Sequence, residues 1–154
     1  MVFVTDILDW MLFNVVMGNC DAHGKNLSFF SGKNGLAVAP WYDLVSVEML
    51  EGVNHTMAMS VAGEFSVDAI GLKELALECR QVGVTQELLQ ERLSKMLQRL
   101  MALDLDTLLP DGLTDSDNAF AKRFTAFLKM KIRCWCRNCN FWRGRSLKFK
   151  YEVM

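Results

Sequence analysis

The chain has 154 residues, 51% of them hydrophobic and 23% charged, with a formal net charge of −1. That length fits one domain, and that balance supplies enough apolar side chains for a packed core, which excludes a disordered or low-complexity chain. No apolar run approaches the ~18 residues of a membrane span, and no basic segment precedes an apolar one at the start, so neither a membrane protein nor a secreted one is expected. Five cysteines at irregular spacing fit reduced thiols in the cytoplasm rather than a disulfide framework.

Residues 4–18 read as a helix, with Thr5 as N-cap and Asp6 favouring the first turn. Ile7, Leu8, Met11, Leu12, Val15 and Val16 form a broad apolar stripe at helical spacing, and Gly18 supplies the stop. Residues 19–26 are a polar loop. Residues 27–30 and 36–39 read as two short strands around the turn signal Asn34-Gly35, and Pro40 ends the second because proline cannot donate to a ladder. Residues 44–50 suit a short helix, 54–61 an extended segment and 62–64 a turn. From Ser66 the pattern is helical: a turn over 67–70, a helix over 72–81 stopped by Gly83, and a helix from the Thr85 cap to about residue 103. A loop at 108–113 precedes a last helix opened by Ser116 between Asp115 and Asp117 and running toward Cys134. The expected fold is mainly α with a small β-hairpin.

The polar loop reads Gly18-Asn-Cys-Asp-Ala-His-Gly-Lys-Asn-Leu-Ser28, and the hairpin returns the chain to Trp41-Tyr42-Asp43. Asp21 and Asn26 stand at the spacing that separates base and metal-binding Asn in a kinase catalytic loop. Phosphoryl transfer needs an acceptor hydroxyl held in line, its proton accepted, and phosphate charge neutralised by Mg²⁺, which takes hard oxygen ligands. Asp43 supplies a carboxylate and Asn26 an amide oxygen as metal ligands; Asp21 suits the base; Lys25 can neutralise the transferring phosphate of ATP; His23 suits loop orientation. Asp and Asn also favour turns through bonds to local backbone, so an isolated pair at this spacing is a weak signal. The added His23, Lys25 and the hairpin ending in Asp43 strengthen it. His55 is read as structural. No Gly-rich phosphate loop and no Gly-x-Ser-x-Gly nucleophile turn is present, and two histidines are too few for a zinc hydrolase.

At these residues the sequence resembles the HipA family of bacterial serine/threonine kinases, in its C-terminal lobe. The matching stretches are residues 18–28, residues 36–46 (Leu-Ala-Val-Ala-Pro-Trp-Tyr-Asp-Leu-Val-Ser) and residues 55–64 (His-Thr-Met-Ala-Met-Ser-Val-Ala-Gly-Glu). The resemblance implies a protein-kinase-like C-lobe without its N-lobe, acting on protein hydroxyls with ATP and Mg²⁺. By position Asp21 looks like the catalytic base, Asn26 and Asp43 like the metal ligands, and His23 and Lys25 like catalytic-loop residues. It further implies a cytoplasmic toxin kinase of a toxin–antitoxin system, held by a HipB-like antitoxin; relatives act on glutamyl-tRNA synthetase. Activity is expected to need an N-lobe from the same gene or in trans. The alternative is a non-catalytic, truncated kinase-like module that binds a partner protein.

The charge is unevenly spread. Residues 1–128 hold 9 Lys/Arg against 17 Asp/Glu, and residues 129–154 hold 8 against one. The expected organisation is therefore a kinase-like lobe over 1–128 and a basic extension over 129–154, interleaving Trp135, Phe141, Trp142 and Phe149 with Cys134, Cys136 and Cys139. That extension reads as a helix end with a loosely ordered tail, as a nucleic-acid contact, or as a partial zinc site. Nucleic-acid contact is expected nowhere else in the chain.

Overall fold

The helical periodicity is realised in a computed structural model that describes residues 2–33, 35–103, 107, 112 and 114–138. Helix α1 (Val2–Met17) packs on α3 (Gln86–Ala102) and α4 (Asp115–Asn138), while α2 (Leu72–Gln81) packs on α3. Leu8, Trp10, Leu12, Val15, Val16 and Met17 are all buried, so α1 is enclosed on more than the one stripe expected. Leu75, Cys79, Leu89, Leu93, Leu97, Leu128 and Ile132 complete the same core. Asp9 of α1 and Arg92 of α3, 83 positions apart, add a two-bonded ion pair, with Nε donating to Oδ1 at 2.8 Å. No helix among the described residues is long and apolar enough to cross a membrane.

Local chemistry sets most element ends. Thr85 caps α3, its Oγ1 accepting from the Leu88 N–H at 3.3 Å. Gly83 closes α2 at a φ of 75°. Two ends differ from the sequence reading. Helix α1 begins at Val2, ahead of Thr5, and its first turn is tied down by Phe3 packing at a tilt on Phe29, 5.2 Å between ring centroids. Helix α4 is capped by Thr114 rather than Ser116: Thr114 Oγ1 accepts from the Asp117 N–H at 3.2 Å, and Asp117 Oδ2 accepts from the Thr114 N–H at 3.1 Å. That reciprocal pair needs an acid at the third helical position, which Thr114 has in Asp117.

Strands β1 (Phe29–Gly32) and β2 (Gly35–Val38) form the expected antiparallel hairpin, closed by the Gly32–Gly35 pair. A second hairpin pairs β3 (Thr56–Val61) with β4 (Glu64–Ser66), so the predicted turn at 62–64 returns the chain as a strand. Residues 44–50 hold one 3-10 turn, Val47–Met49.

Helix α4 runs unbroken through position 128, where the sequence reading placed a unit boundary. Leu128, Ile132 and Trp135 repeat at core spacing on it. Lys131, counted in the sequence as part of a basic extension, is buried and pairs with Glu48 at 2.7 Å. Most of the 108–113 loop and all of 139–154, with Cys139, Phe141, Trp142 and Phe149, lie outside the described residues.

Glu48 connects α4 to the end of α1. Its backbone N–H donates to the Gly18 carbonyl at 3.1 Å, and its side chain lies across Gly18. Gly18 has a φ of 67°, and a Cβ there would stand 2.8 Å from Glu48 Cβ. Gly18→Ala therefore adds left-handed backbone strain to a clash and is expected to cost about 2–4 kcal/mol in chemical denaturation. Lys131→Met leaves a carboxylate buried without its partner and is expected to cost about 3–5 kcal/mol. Adding Glu48→Leu to Lys131→Met removes that stranded charge and is expected to restore part of the loss; a double variant no more stable than the single one refutes the buried-pair account.

Candidate active site

The loop that leaves α1 is fixed at its base and open at its tip. Gly18 and Asn19 bond back to α1 through their N–H groups, to Val15 and Asn14 carbonyls at 3.3 and 2.9 Å. The Cys20 carbonyl accepts from the Ala58 N–H of β3 at 2.7 Å, which pins the residue before Asp21. A single 3-10 turn, Gly24–Asn26, then closes the loop. Inside it Asn26 is buried, and its Oδ1 accepts from the His23 N–H at 2.9 Å. This bond uses the His23 backbone, not its imidazole; the ring Nδ1 is buried with no hydrogen-bond partner among the described residues.

The hairpin returns Asp43 to this loop. Asn26 Nδ2 donates to Asp43 Oδ2 at 2.7 Å across 17 positions of sequence. The incoming segment is anchored on both sides of Asp43. Trp41 lies on Phe13 of α1 at 5.8 Å between centroids, and Tyr42 Oη donates to the Lys25 carbonyl at 2.5 Å. Downstream, Ser46 Oγ donates to the Met17 carbonyl at 2.7 Å. Asp43 itself sits at a φ of 58°, and Asn19 Nδ2 donates to its carbonyl at 3.1 Å.

The structure thus joins three of the five candidate residues directly: His23 to Asn26 through its backbone N–H, and Asn26 to Asp43. Asp21 and the Lys25 ammonium are exposed and make no hydrogen bond or ion pair among the described residues. His55, set aside as structural, bonds through Nε2 to the Leu50 carbonyl at 3.0 Å. Sequence reasoning gave no role to Asn14, Asn19, Tyr42, Glu48 or Lys131. Only Asn14 carried a signal, as a polar residue within the apolar run of α1, where burial demands a partner.

The donor set suits a hard divalent cation. Asn26 Oδ1 spends one of its two lone pairs on His23, and Asp43 engages Asn26 through Oδ2 alone, so both side chains keep oxygen lone pairs to offer a cation. No cluster of three or more His, Cys, Asp or Glu exists among the described residues, which leaves a thiolate or imidazole metal site without support there. An apolar cavity of about 380 Å³ lies behind the loop, lined by Ile7, Met11, Ala22, Leu27, Met57 and Val84 among others. Ala22, Gly24 and Leu27 of the loop line it, while Asp21, Asn26 and Asp43 do not.

The model of the HipA-like C-terminal domain family matches residues 3–103. The chain belongs to the HipA-like C-terminal domain family. The serine/threonine-protein kinase toxin HipA of Shewanella oneidensis is 37% identical over 131 residues, which is 85% of this chain and 30% of that protein. A chain in the solved complex of the Shewanella oneidensis HipA, HipB toxin–antitoxin system with its operator DNA is similar at a TM-score of 0.81 and 32% identity, over 93% of this chain and 34% of that one. The chain spans about a third of the length of the HipA-type relatives it matches. The mainly helical, HipA-like lobe expected from the loop motifs is the fold observed.

The site's neighbouring thiol, Cys20, is buried. Burial, then the Glu48 carboxylate, pushes the Cys20 thiol above its ordinary value. Burial pushes Cys79 up to about 11. A raised thiol pKa leaves less thiolate at neutral pH, and both side chains are buried. Iodoacetamide at pH 7.5 is therefore expected to label the exposed Cys134 well before Cys20 or Cys79, read by peptide mass spectrometry; equal labelling rates refute this.

Proposed function

We propose that this chain is the catalytic lobe of a HipA-like serine/threonine protein kinase, transferring the γ-phosphate of ATP to a protein hydroxyl. The observation that carries the reading is the Asn26–Asp43 hydrogen bond, which joins an amide and a carboxylate, both with oxygens to offer a cation, within the segment that also bears Asp21. Asp21, exposed and uncommitted, orients the acceptor hydroxyl and takes its proton. Asn26 and Asp43 hold Mg²⁺. The chemistry a bound Mg²⁺ supplies is neutralisation of charge on the transferring group. Lys25, whose backbone is fixed by Tyr42, adds a cation near the phosphates of ATP, and His23 holds Asn26 in register.

The relatives' names extend the proposal to a cytoplasmic toxin kinase of a toxin–antitoxin system with a HipB-like antitoxin as partner. Because the chain covers 30% of the Shewanella oneidensis kinase, the remaining grip on ATP comes from an N-lobe, joined or supplied in trans. The second reading is a non-catalytic module that binds a partner protein.

The test is a chimera in which this chain replaces the matching third of the Shewanella oneidensis relative. The chain alone is expected to transfer little or no labelled phosphate from ATP, and the chimera to transfer it readily. Asp21→Asn is expected to lower the chimera's rate about 10²–10⁴-fold without changing its melting temperature. Asp43→Asn and Asn26→Ala are expected to weaken Mg²⁺ dependence as well as rate. A folded chimera with no transfer above background supports the non-catalytic module instead.

A further inference from the structure

We propose that Asn19 is a positioning residue for Asp43: its buried amide, oriented by Asn14, holds the Asp43 backbone in the left-handed conformation that turns its carboxylate onto Asn26. The metal consequence rests on the function proposed above; the conformational one does not.

Asp43 and Ala62 are the two non-glycine residues at positive φ among those described. L residues avoid that region because Cβ crowds the following carbonyl, so the surroundings must hold it. Asp43 is exposed, and no apolar packing of its own side chain can do this. Two hydrogen bonds grip it from opposite ends of the residue: Asn19 Nδ2 on its carbonyl at 3.1 Å and Asn26 Nδ2 on its carboxylate at 2.7 Å.

The first of these belongs to a relay with one polarity. The Trp10 carbonyl accepts from Asn14 Nδ2 at 2.8 Å, which fixes the Asn14 amide with its oxygen outward from that bond. Asn14 Oδ1 then accepts from Asn19 Nδ2 at 2.7 Å. Reversing the Asn19 amide would aim its oxygen at two other oxygens, those of Asn14 and Asp43, so the nitrogen must face them. Asn14 and Asn19 are 2% and 3% exposed. Burying two amides is unfavourable unless their bonds are used, and Asn19 Oδ1 is buried without a partner among the described residues, so the two bonds of its nitrogen are set against that cost. Beyond α1 and each other, the side-chain bond these amides make among the described residues is the one to Asp43.

The experiment uses the full chain with Asn19→Ala and Asn19→Ser, each checked for folding by circular dichroism. The Asp43 conformation is read from its ¹³C shifts and its HN–Hα coupling, and metal affinity from Mn²⁺ titration by water-proton relaxation, with Asp43→Ala as the control for the site. In a folded Asn19 variant, Asp43 is expected to lose its left-handed signature and Mn²⁺ affinity to fall about 10–100-fold, the range for partners that orient a metal ligand. Asn14→Ala, which frees the Asn19 amide, is expected to shift both in the same direction by less. An Asp43 that keeps its left-handed signature in a folded Asn19 variant overturns the proposal. Unfolding of both Asn19 variants overturns it too, because Asn19 is then a core residue. If the wild-type chain binds no Mn²⁺ while Asp43 still moves, the positioning role stands and the metal reading falls.

Discussion

Three separated parts of the chain meet at Glu48. Its N–H bonds the Gly18 carbonyl where α1 ends, its side chain fills the space a Cβ at Gly18 would take, and its carboxylate pairs with Lys131 of α4. Both ionised side chains are almost wholly removed from water, 14% and 10% exposed. A pair this buried gains little net stability over an apolar one, but either charge alone is costly. Its consequence is register: a displaced α4 would strand Lys131 and Glu48 as unpaired buried charges, and the Glu48 N–H ties the segment 43–50 to Gly18. The base of the polar loop and the return of Asp43 are fixed together, about one end of α1.

From that base the site is built with short-range hydrogen bonds. The 3-10 turn presents Asn26 with its oxygen on the His23 N–H and its nitrogen on Asp43. Trp41 on Phe13 and Tyr42 on the Lys25 carbonyl lock the approach of the returning strand. The result separates positioning from chemistry. Asn14, Asn19, Glu48 and Lys131 are buried or nearly so and face other protein groups, whereas Asp21, Lys25 and Asp43 are exposed. Rigid support below and exposed polar groups above are what a site of pre-organised electrostatics requires.

Much of this was legible in the residues. The periodicity of Leu88, Leu89, Leu93, Met96, Leu97 and Leu100 gave α3 nearly to its ends, and Asn34-Gly35 between two apolar runs marked the first hairpin, because these signals act within a few residues. The motif at 18–28 with Asp43 pointed to the family the chain belongs to. The misread ends have local reasons too. Ser116 looked like a cap because it stood between two acids, but the reciprocal bonds favoured Thr114 with Asp117. Thr5 looked like one because it preceded the apolar stripe, but the Phe3–Phe29 contact carried the helix further back.

The charge count at the C-terminal end carries no information on burial, for a different reason. Summed charge places Lys131 with its neighbours in a basic stretch, whereas burial depends on helical phase, and Leu128, Ile132 and Trp135 carry that face into the core with Lys131 beside them. The sequence by itself determined the helices, the first hairpin and the identity of the polar loop, since each is specified by neighbours three to five residues apart. The tertiary structure decided which polar residues serve the site from beneath. Asn19 on Asp43, Lys131 on Glu48 and Glu48 on Gly18 span 24 or more positions, and no local spacing encodes a partner brought close only by packing.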